Sequence, residues 1–385
     1  MVTSERLSEV VASVLPKAVD LRHLLHRHPE PAYKEHQTTA LIAAALTENG
    51  IGYRDRKPAT GLWLDLGESP SVAFRADIDA LPILEPVGNV PRSQNPGWMH
   101  ACGHDAHAAI AFGIALALRE ISPGAAARFI FQPAEEASPG GAEQLVAEGL
   151  MQGVKAILAF HVDPSAATGI VGVRVGPITA SADKFTITME GPGGHTARPH
   201  KTVDLIAEAS RLVYELPNAM RRTVDARSPL TVAFGSIHGG TSGNVIPARI
   251  ELEGTARTLD PGLWEVLPGL MDKAISSIVT GSGATYELGY NQAIRPVIND
   301  SAVVETAVAG ISDVLGERAL EPTNASMGGE DFSSYLAEVP GALLRLGTSG
   351  SGHDLHSPGF TLDEATIGVG IKAGVGAILS MLDRL

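Results

Sequence analysis

The sequence predicts an α/β fold with a smaller α+β domain inserted into it, and three observations lead there. The chain has 385 residues, beyond the roughly 250–300 at which one hydrophobic core stops growing. Short β-rich runs alternate with helical stretches, the texture of an α/β domain. From Ser181 to Asn291 that texture changes, and afterwards the first pattern resumes. Residues 1–180 and 292–385 are therefore read as one discontinuous domain, and 181–291 as the insertion.

The elements follow in order. Leu7, Val10, Val11, Val14 and Leu15 recur at helical spacing, so the N-terminal stretch reads as an amphipathic helix that stops before His28-Pro29. A second helix spans about Glu35 to Asn49, with Gly50 as its C-terminal cap. GLWLDLG and SVAFRADID read as strands, AHAAIAFGIALALRE as a helix after His104, and ARFIFQPAEE as a strand ending in two carboxylates. AEQLVAEGL is a short helix and VKAILAFHV a buried strand ending at a histidine. The insertion runs strand (KFTITMEG), helix (VDLIAEASRLVYELP), strand (LTVAFGSI), strand (RIELEGTART), helix (GLWEVLPGLMDKAISSIV), strand (TYELGY), two strand-helix-strand halves able to form one sheet. Helix (DSAVVETAVAGISDVL), strand (GALLRLG) and a long final helix (TIGVGIKAGVGAILSML) complete the first domain.

Composition narrows the class. With 44% hydrophobic and 19% charged residues the chain is ordinary globular protein, neither disordered nor fibrous. A net charge of −14 repels phosphate backbones and anionic lipid, so no nucleic acid and no membrane is expected as a partner. No basic segment precedes an apolar run at the N-terminus, and no uninterrupted apolar stretch reaches the roughly 18 residues of a spanning helix. The single cysteine excludes an internal disulfide and fits a reducing compartment, so a cytoplasmic location is expected.

Three groups of residues could carry chemistry. In MHACGHDAHAA, His100, Cys102, His104, Asp105 and His107 crowd into eight positions. Thiolate, imidazole and carboxylate are the usual ligands of zinc and neighbouring ions. The same residues would also suit a helix N-terminus capped by Asp105, with Cys102 as a small buried hydrophobe. Glu135-Glu136 could divide metal binding and proton handling. On an extended backbone they would point opposite ways, so either a turn brings both inward or they are a solvated acidic pair. Asp77 and Asp79 in RADIDALP would share one face of a strand and could serve one site, or could be polar caps of a strand end. His161 in AFHVDP and His356 in GHDLHSPGF lie at strand or loop ends, where α/β folds bind ligands.

At these residues the sequence resembles the bacterial and plant amidohydrolases that include hippurate hydrolase, N-acyl amino acid aminoacylases and indole-acetyl-amino-acid hydrolases. These belong to a metallopeptidase superfamily with carboxypeptidase G and aminoacylase-1. The resemblance runs nearly the whole chain, through LLHRHPEPAYKEHQTTALI, RADIDALP, MHACGHDAHAA, FQPAEEASPGGA, GPGGHTARPH, GNVIPARIELEGTART, GGEDFSSY and LHSPGF. It implies a metallopeptidase-like catalytic domain with an inserted lid and dimerisation domain. It implies two divalent ions, drawn from zinc, manganese, nickel or cobalt, held by Cys102, His104, Glu136, His161 and His356. Glu135 would be the general base, and Asp79 would orient a ligand.

In the insertion, His195 of GPGGHTARPH looks like an oxyanion donor, while Asn244 and Arg257 look like substrate-binding groups. Without the resemblance these would read as a Gly-rich turn and a strand bearing surface polar groups. The sequence departs from its relatives twice: Asp77 stands where the carboxypeptidase branch has a metal histidine, and Asp163 stands beside His161 where relatives often carry tryptophan. The expected activity is hydrolysis of the amide of a small N-acyl amino acid by a homodimer or homotetramer. A dipeptidase or carboxypeptidase with the same machinery is the nearer alternative, and a non-catalytic metal- or metabolite-binding protein the more distant one.

Overall fold

The computed structural model describes residues 4–349 and 352–384. The chain divides into two compact units, one of Met1–Gly176, Ile298–Asn324 and Asp331–Leu385, the other of Pro177–Val297 and Ala325–Glu330.

The first unit is built on an eight-stranded sheet. Across the sheet the strands run Arg54–Asp55, Leu62–Leu66, Ala127–Gln132, Val72–Asp77, Ala156–Asp163, Gly341–Gly347, Val171–Val173, Leu320–Pro322. The four central strands are mutually parallel, so their carboxyl ends share one edge, where ligands bind in such sheets. Register sets Phe74 beside Phe129 and Leu158. Phe74 also meets Phe160 edge-on at 5.3 Å. These side chains face the helices Ser4–Arg27, His104–Ile121 and Ala365–Arg384 in one continuous core.

Helix His104–Ile121 is buried from His104 through Leu118. Its many alanines suit that position, combining high helix propensity with little bulk. Ala365–Arg384 is long and apolar enough to cross a membrane by length and composition, but 61% of its apolar window is buried within the protein, as in a core helix. Helices His36–Glu48 and Ser301–Leu315 lie within a residue or two of their expected bounds. Two expectations need correction. The strand expected to carry Glu135-Glu136 stops at Gln132, leaving both carboxylates on a loop. Val171–Val173 and Leu320–Pro322 were not anticipated, because three residues are too few to display a period of two.

The second unit holds a four-stranded antiparallel sheet ordered Leu230–His238, Arg249–Thr258, Ala182–Glu190, Thr285–Ile294. Alternate residues Phe185, Ile187 and Met189 of one strand and Ile250, Leu252 and Ala256 of the next are buried. They share a core with Leu212 and Leu216 of helix Leu205–Thr223 and Leu267 and Met271 of helix Pro261–Val279. Asp204 and Asp260 cap these helices by accepting from Ala207 N–H and from Gly262 and Leu263 N–H.

Candidate functional site

The carboxyl edge of the central strands gathers a dense set of ligating side chains inside the first unit. Gly103 turns the chain into helix His104–Ile121 with φ +82°, and a Cβ there would strike Val162 Cγ2 at 2.5 Å. Only glycine meets both demands, and the turn sets Cys102 and His104 at the sheet edge. Asp105 does not cap this helix. Its carboxylate instead receives Arg22 and His26, each at 2.8 Å. Against the burial that would raise it, these cations hold Asp105 far below the usual carboxylate range.

Cys102 Sγ lies 3.5 Å from His161 Nε2 and 3.3 Å from His356 Nε2, and His356 Nε2 lies 3.1 Å from Glu136 Oε1. His104 Nε2 lies 3.9 Å from Glu135 Oε2 and 4.0 Å from Glu136 Oε1. The outer nitrogens are committed elsewhere. His161 Nδ1–H donates to Val162 O at 2.8 Å. His104 Nδ1 meets Asp79 O at 3.0 Å and Asp79 Oδ1 at 3.1 Å. Asp79 Oδ2 in turn accepts from Glu136 N–H at 2.9 Å. Each imidazole thus aims its Nε2 at the shared centre, as outer hydrogen bonds do for metal-bound histidine.

The two carboxylates turn inward because of one backbone angle. Ala134 sits at φ +55°, an αL conformation that costs an alanine on the order of 1–2 kcal/mol. Glu35, wholly buried, holds it there: Glu35 Oε1 accepts Ala134 N–H at 2.7 Å and Oε2 accepts the Thr60 hydroxyl at 2.6 Å. Burial pushes the Glu35 carboxyl up to about 7. Gly141 N–H closes the turn on Ala134 O at 2.9 Å. Of the two alternatives left by adjacent glutamates, the structure takes the turn.

His107, crowded into the same motif, is a strut. Its Nδ1 meets Asp77 Oδ1 at 2.6 Å and its Nε2 accepts Val162 N–H at 3.0 Å, so both ring nitrogens are used. Asp77 also takes Arg75 at 2.6 Å, and Arg75 reaches Asp331 at 2.9 Å. Burial opposes ionisation of Asp77, but His104, Arg75 and His107 hold its pKa well below the ordinary value. Burial, and after it the charge of Arg345, holds the His161 imidazole well below its ordinary pKa. Neither the Glu35 clamp nor the Arg75–Asp331 pair was read from sequence. An arginine inside the otherwise apolar run VAFRAD was the available signal, since a buried arginine needs an acid.

The donor set fits a metal. Cys102, His104 and His161 can offer ligand atoms within 4.8 Å of one another, as can Cys102, Glu136 and His356, and His104, Glu135 and Glu136. His104 Nε2 is fully buried and has no hydrogen-bond partner among the described residues. Such a buried orphan nitrogen, beside a thiol and two carboxylates, calls for a cation.

The insertion residues lie in the second unit. His195 is exposed, and its two-residue strand pairs with Val245–Ile246, which brings it beside Asn244. His195 Nδ1 accepts from Ala197 N–H at 3.1 Å, so a neutral ring carries its proton on Nε2 and can donate. Asn244 Oδ1 accepts from the Ser242 hydroxyl at 2.6 Å. Arg257 donates to Met327 O at 3.0 Å, and no hydrogen bond joins it to His195 or Asn244 among the described residues.

Comparison with known proteins adds the family. The model for Peptidase family M20/M25/M40 matches residues 73–380. An N-acetyl-L-cysteine deacetylase of Bacillus subtilis is 36% identical over 369 residues, 94% of this chain and 88% of the relative. A Rhodococcus jostii protein named as a glutamate–cysteine ligase is 40% identical over 361 residues, 92% of this chain, and this chain spans about half, 46%, of its length. The crystal structure of a dinuclear metal-binding M20 peptidase from Bacillus subtilis superposes with a TM-score of 0.85 at 33% identity, covering 97% of this chain and 100% of that one. On a family match across most of its length and relatives of this identity, the chain belongs to peptidase family M20/M25/M40, a family of hydrolases.

Proposed function

We propose that this protein hydrolyses the amide bond of N-acyl amino acids, releasing a carboxylic acid and an amino acid. The observation that carries the reading is the convergence of Cys102, His104, Glu135, Glu136, His161 and His356 on one centre that runs from the buried orphan His104 Nε2 out to the exposed His356. In it, Cys102, His104, Glu136, His161 and His356 hold two divalent ions, and Asp79 orients His104. Ions bound there would supply a Lewis acid that polarises the carbonyl and lowers the pKa of a water toward ~7. Glu135 takes a proton from the attacking water and returns it to the departing nitrogen. His195 Nε2–H donates to the oxyanion, a contact worth about 3–4 kcal/mol in comparable sites. Asn244 and Arg257 hold the substrate, Arg257 through the carboxylate beside the scissile amide. Among the relatives, a deacetylase of N-acetyl-L-cysteine and an N-acyl-L-amino acid amidohydrolase support an acyl amino acid, while two named as carboxypeptidases keep the peptide alternative in the test.

The test is a panel of N-acyl amino acids, their amides and dipeptides, given to metal-loaded protein. The N-acyl acids are expected to be cleaved at least ~10-fold faster than their amides, the worth of one charge-assisted contact. Equal rates on acid and amide would remove Arg257 from this role, and faster cleavage of dipeptides would make the enzyme a dipeptidase or carboxypeptidase.

His195 has its own prediction. The resemblance implies an inserted domain that serves as both lid and dimer surface, so we propose that His195 serves the centre of a partner subunit. His195→Ala is expected to lose at least ~100-fold in kcat with metal content unchanged. Mixing His195→Ala with Glu135→Gln subunits is expected to restore part of the activity. No recovery after demonstrated subunit exchange would place the histidine's action within its own chain or nowhere.

A further inference from the structure

Arg345 is a buried cation with no anion paired to it among the described residues. It lies on strand Gly341–Gly347 in parallel register with His161. Its neighbours Leu344 and Leu346, like Phe160 and Val162 beside His161, enter the hydrophobic core. Side chains alternate along a strand, so Arg345 and His161 share the opposite face, side by side at the carboxyl edge. Arg345 is only 8% exposed. Among the described residues it makes no hydrogen bond and no ion pair, unlike Arg75, which is saturated by Asp77, Gln132 and Asp331.

The nearest acid by register does not answer it. Asp163 pairs with Gly347 on the same face, but its Oδ1 is engaged by Ser165 N–H at 2.9 Å and the Ser165 hydroxyl at 2.5 Å. On the other flank, Arg345 pairs with Gly172. A Cβ at Gly172 would come within 3.0 Å of both Arg345 Cβ and Thr323 Cβ, so glycine lets the arginine pack closely there and supplies no acid on that side. A charge kept out of water is costly unless an opposite charge meets it, and a guanidinium meets a carboxylate through two parallel hydrogen bonds.

We propose that Arg345 is a specificity residue that receives a second carboxylate of the substrate, distinct from the one beside the scissile amide. The preferred substrates are then acidic N-acyl amino acids. The second carboxylate ends the acyl chain or belongs to the amino-acid side chain. This rests on the amide-hydrolysis reading above, and the test separates the two.

Metal-loaded wild type, Arg345→Met and Arg345→Lys are assayed on N-succinyl-L-alanine against N-butyryl-L-alanine, and on N-acetyl-L-glutamate against N-acetyl-L-glutamine. Wild type is expected to prefer the acidic member of one pair, and that pair identifies which carboxylate is read. Arg345→Met is expected to lower kcat/KM for that member by about 10–100-fold, mainly through KM, and to change its neutral counterpart by less than ~3-fold. Arg345→Lys should fall between, keeping the charge without the fork. No acidic preference in either pair, or equal losses on acidic and neutral members, overturns the proposal. If wild type cleaves none of the four, the amide reading fails, and calorimetry on the metal-loaded proteins decides this one alone. Tighter binding of glutarate than butyrate, lost in Arg345→Met at unchanged metal content, supports it; the same glutarate affinity in both proteins overturns it.

Discussion

Replacing Glu135 by glutamine is expected to lower kcat by at least ~100-fold while leaving the metal content near that of wild type. Glutamine keeps the shape of the side chain and its place beyond the Ala134 turn but cannot accept a proton. Glu135 Oε2 stands 3.9 Å from His104 Nε2, close enough to the centre to reach a water held there. Glu136→Gln is the contrasting variant. Glu136 Oε1 lies 3.1 Å from His356 Nε2 and 4.0 Å from His104 Nε2, between the two histidines, so its loss should appear first as lost metal. Stopped-flow kinetics and elemental analysis of the same preparations check both. An active Glu135→Gln beside an inactive, fully metallated Glu136→Gln would reverse the two roles.

Cys102→Ala is expected to weaken metal binding by at least ~100-fold, more than the loss of an outer-sphere partner usually costs, and to lose activity in proportion. The sulfur lies 3.5 Å from His161 and 3.3 Å from His356, so it is the atom these two rings share. Only a thiolate ligates, so binding releases a proton and affinity should also fall toward acid pH. Competition with a chromophoric chelator measures this in both proteins. Full activity in exhaustively chelated wild type would exclude the metal-dependent reading altogether.

Most of the fold was legible because its elements are long and strongly patterned. The helices from His104, Ser301 and Ala365, and the alternation of Phe185, Ile187 and Met189, show their periods directly in sequence. The site was legible by composition at Cys102, His104 and His107, but composition could not separate their tasks. His107 and His104 stand three residues apart on one helix, and only the contacts of His107 with Asp77 and Val162 make it a strut. Glu35 lies 99 residues from Ala134, a separation over which no local pattern operates. Asp77 and Asp79 were paired as neighbours on a strand face. The strand ends at Asp77, and each aspartate instead meets a different side of His104, Asp77 Oδ2 3.8 Å from Nε2 and Asp79 Oδ1 3.1 Å from Nδ1.

The left-handed Ala134 bears on how a map of tolerated substitutions for this chain would read. Its methyl offers no proton, no lone pair and no charge, yet the direction of the next two side chains depends on its φ of +55°. Glycine there would remove strain, while valine or isoleucine would force the turn open and swing the acid and the ligand away from the histidines together. A saturation library scored by turnover alone would rank position 134 with Glu135 and Glu136. Set beside a fold-stability score, it would stand out as a residue whose whole contribution is an angle.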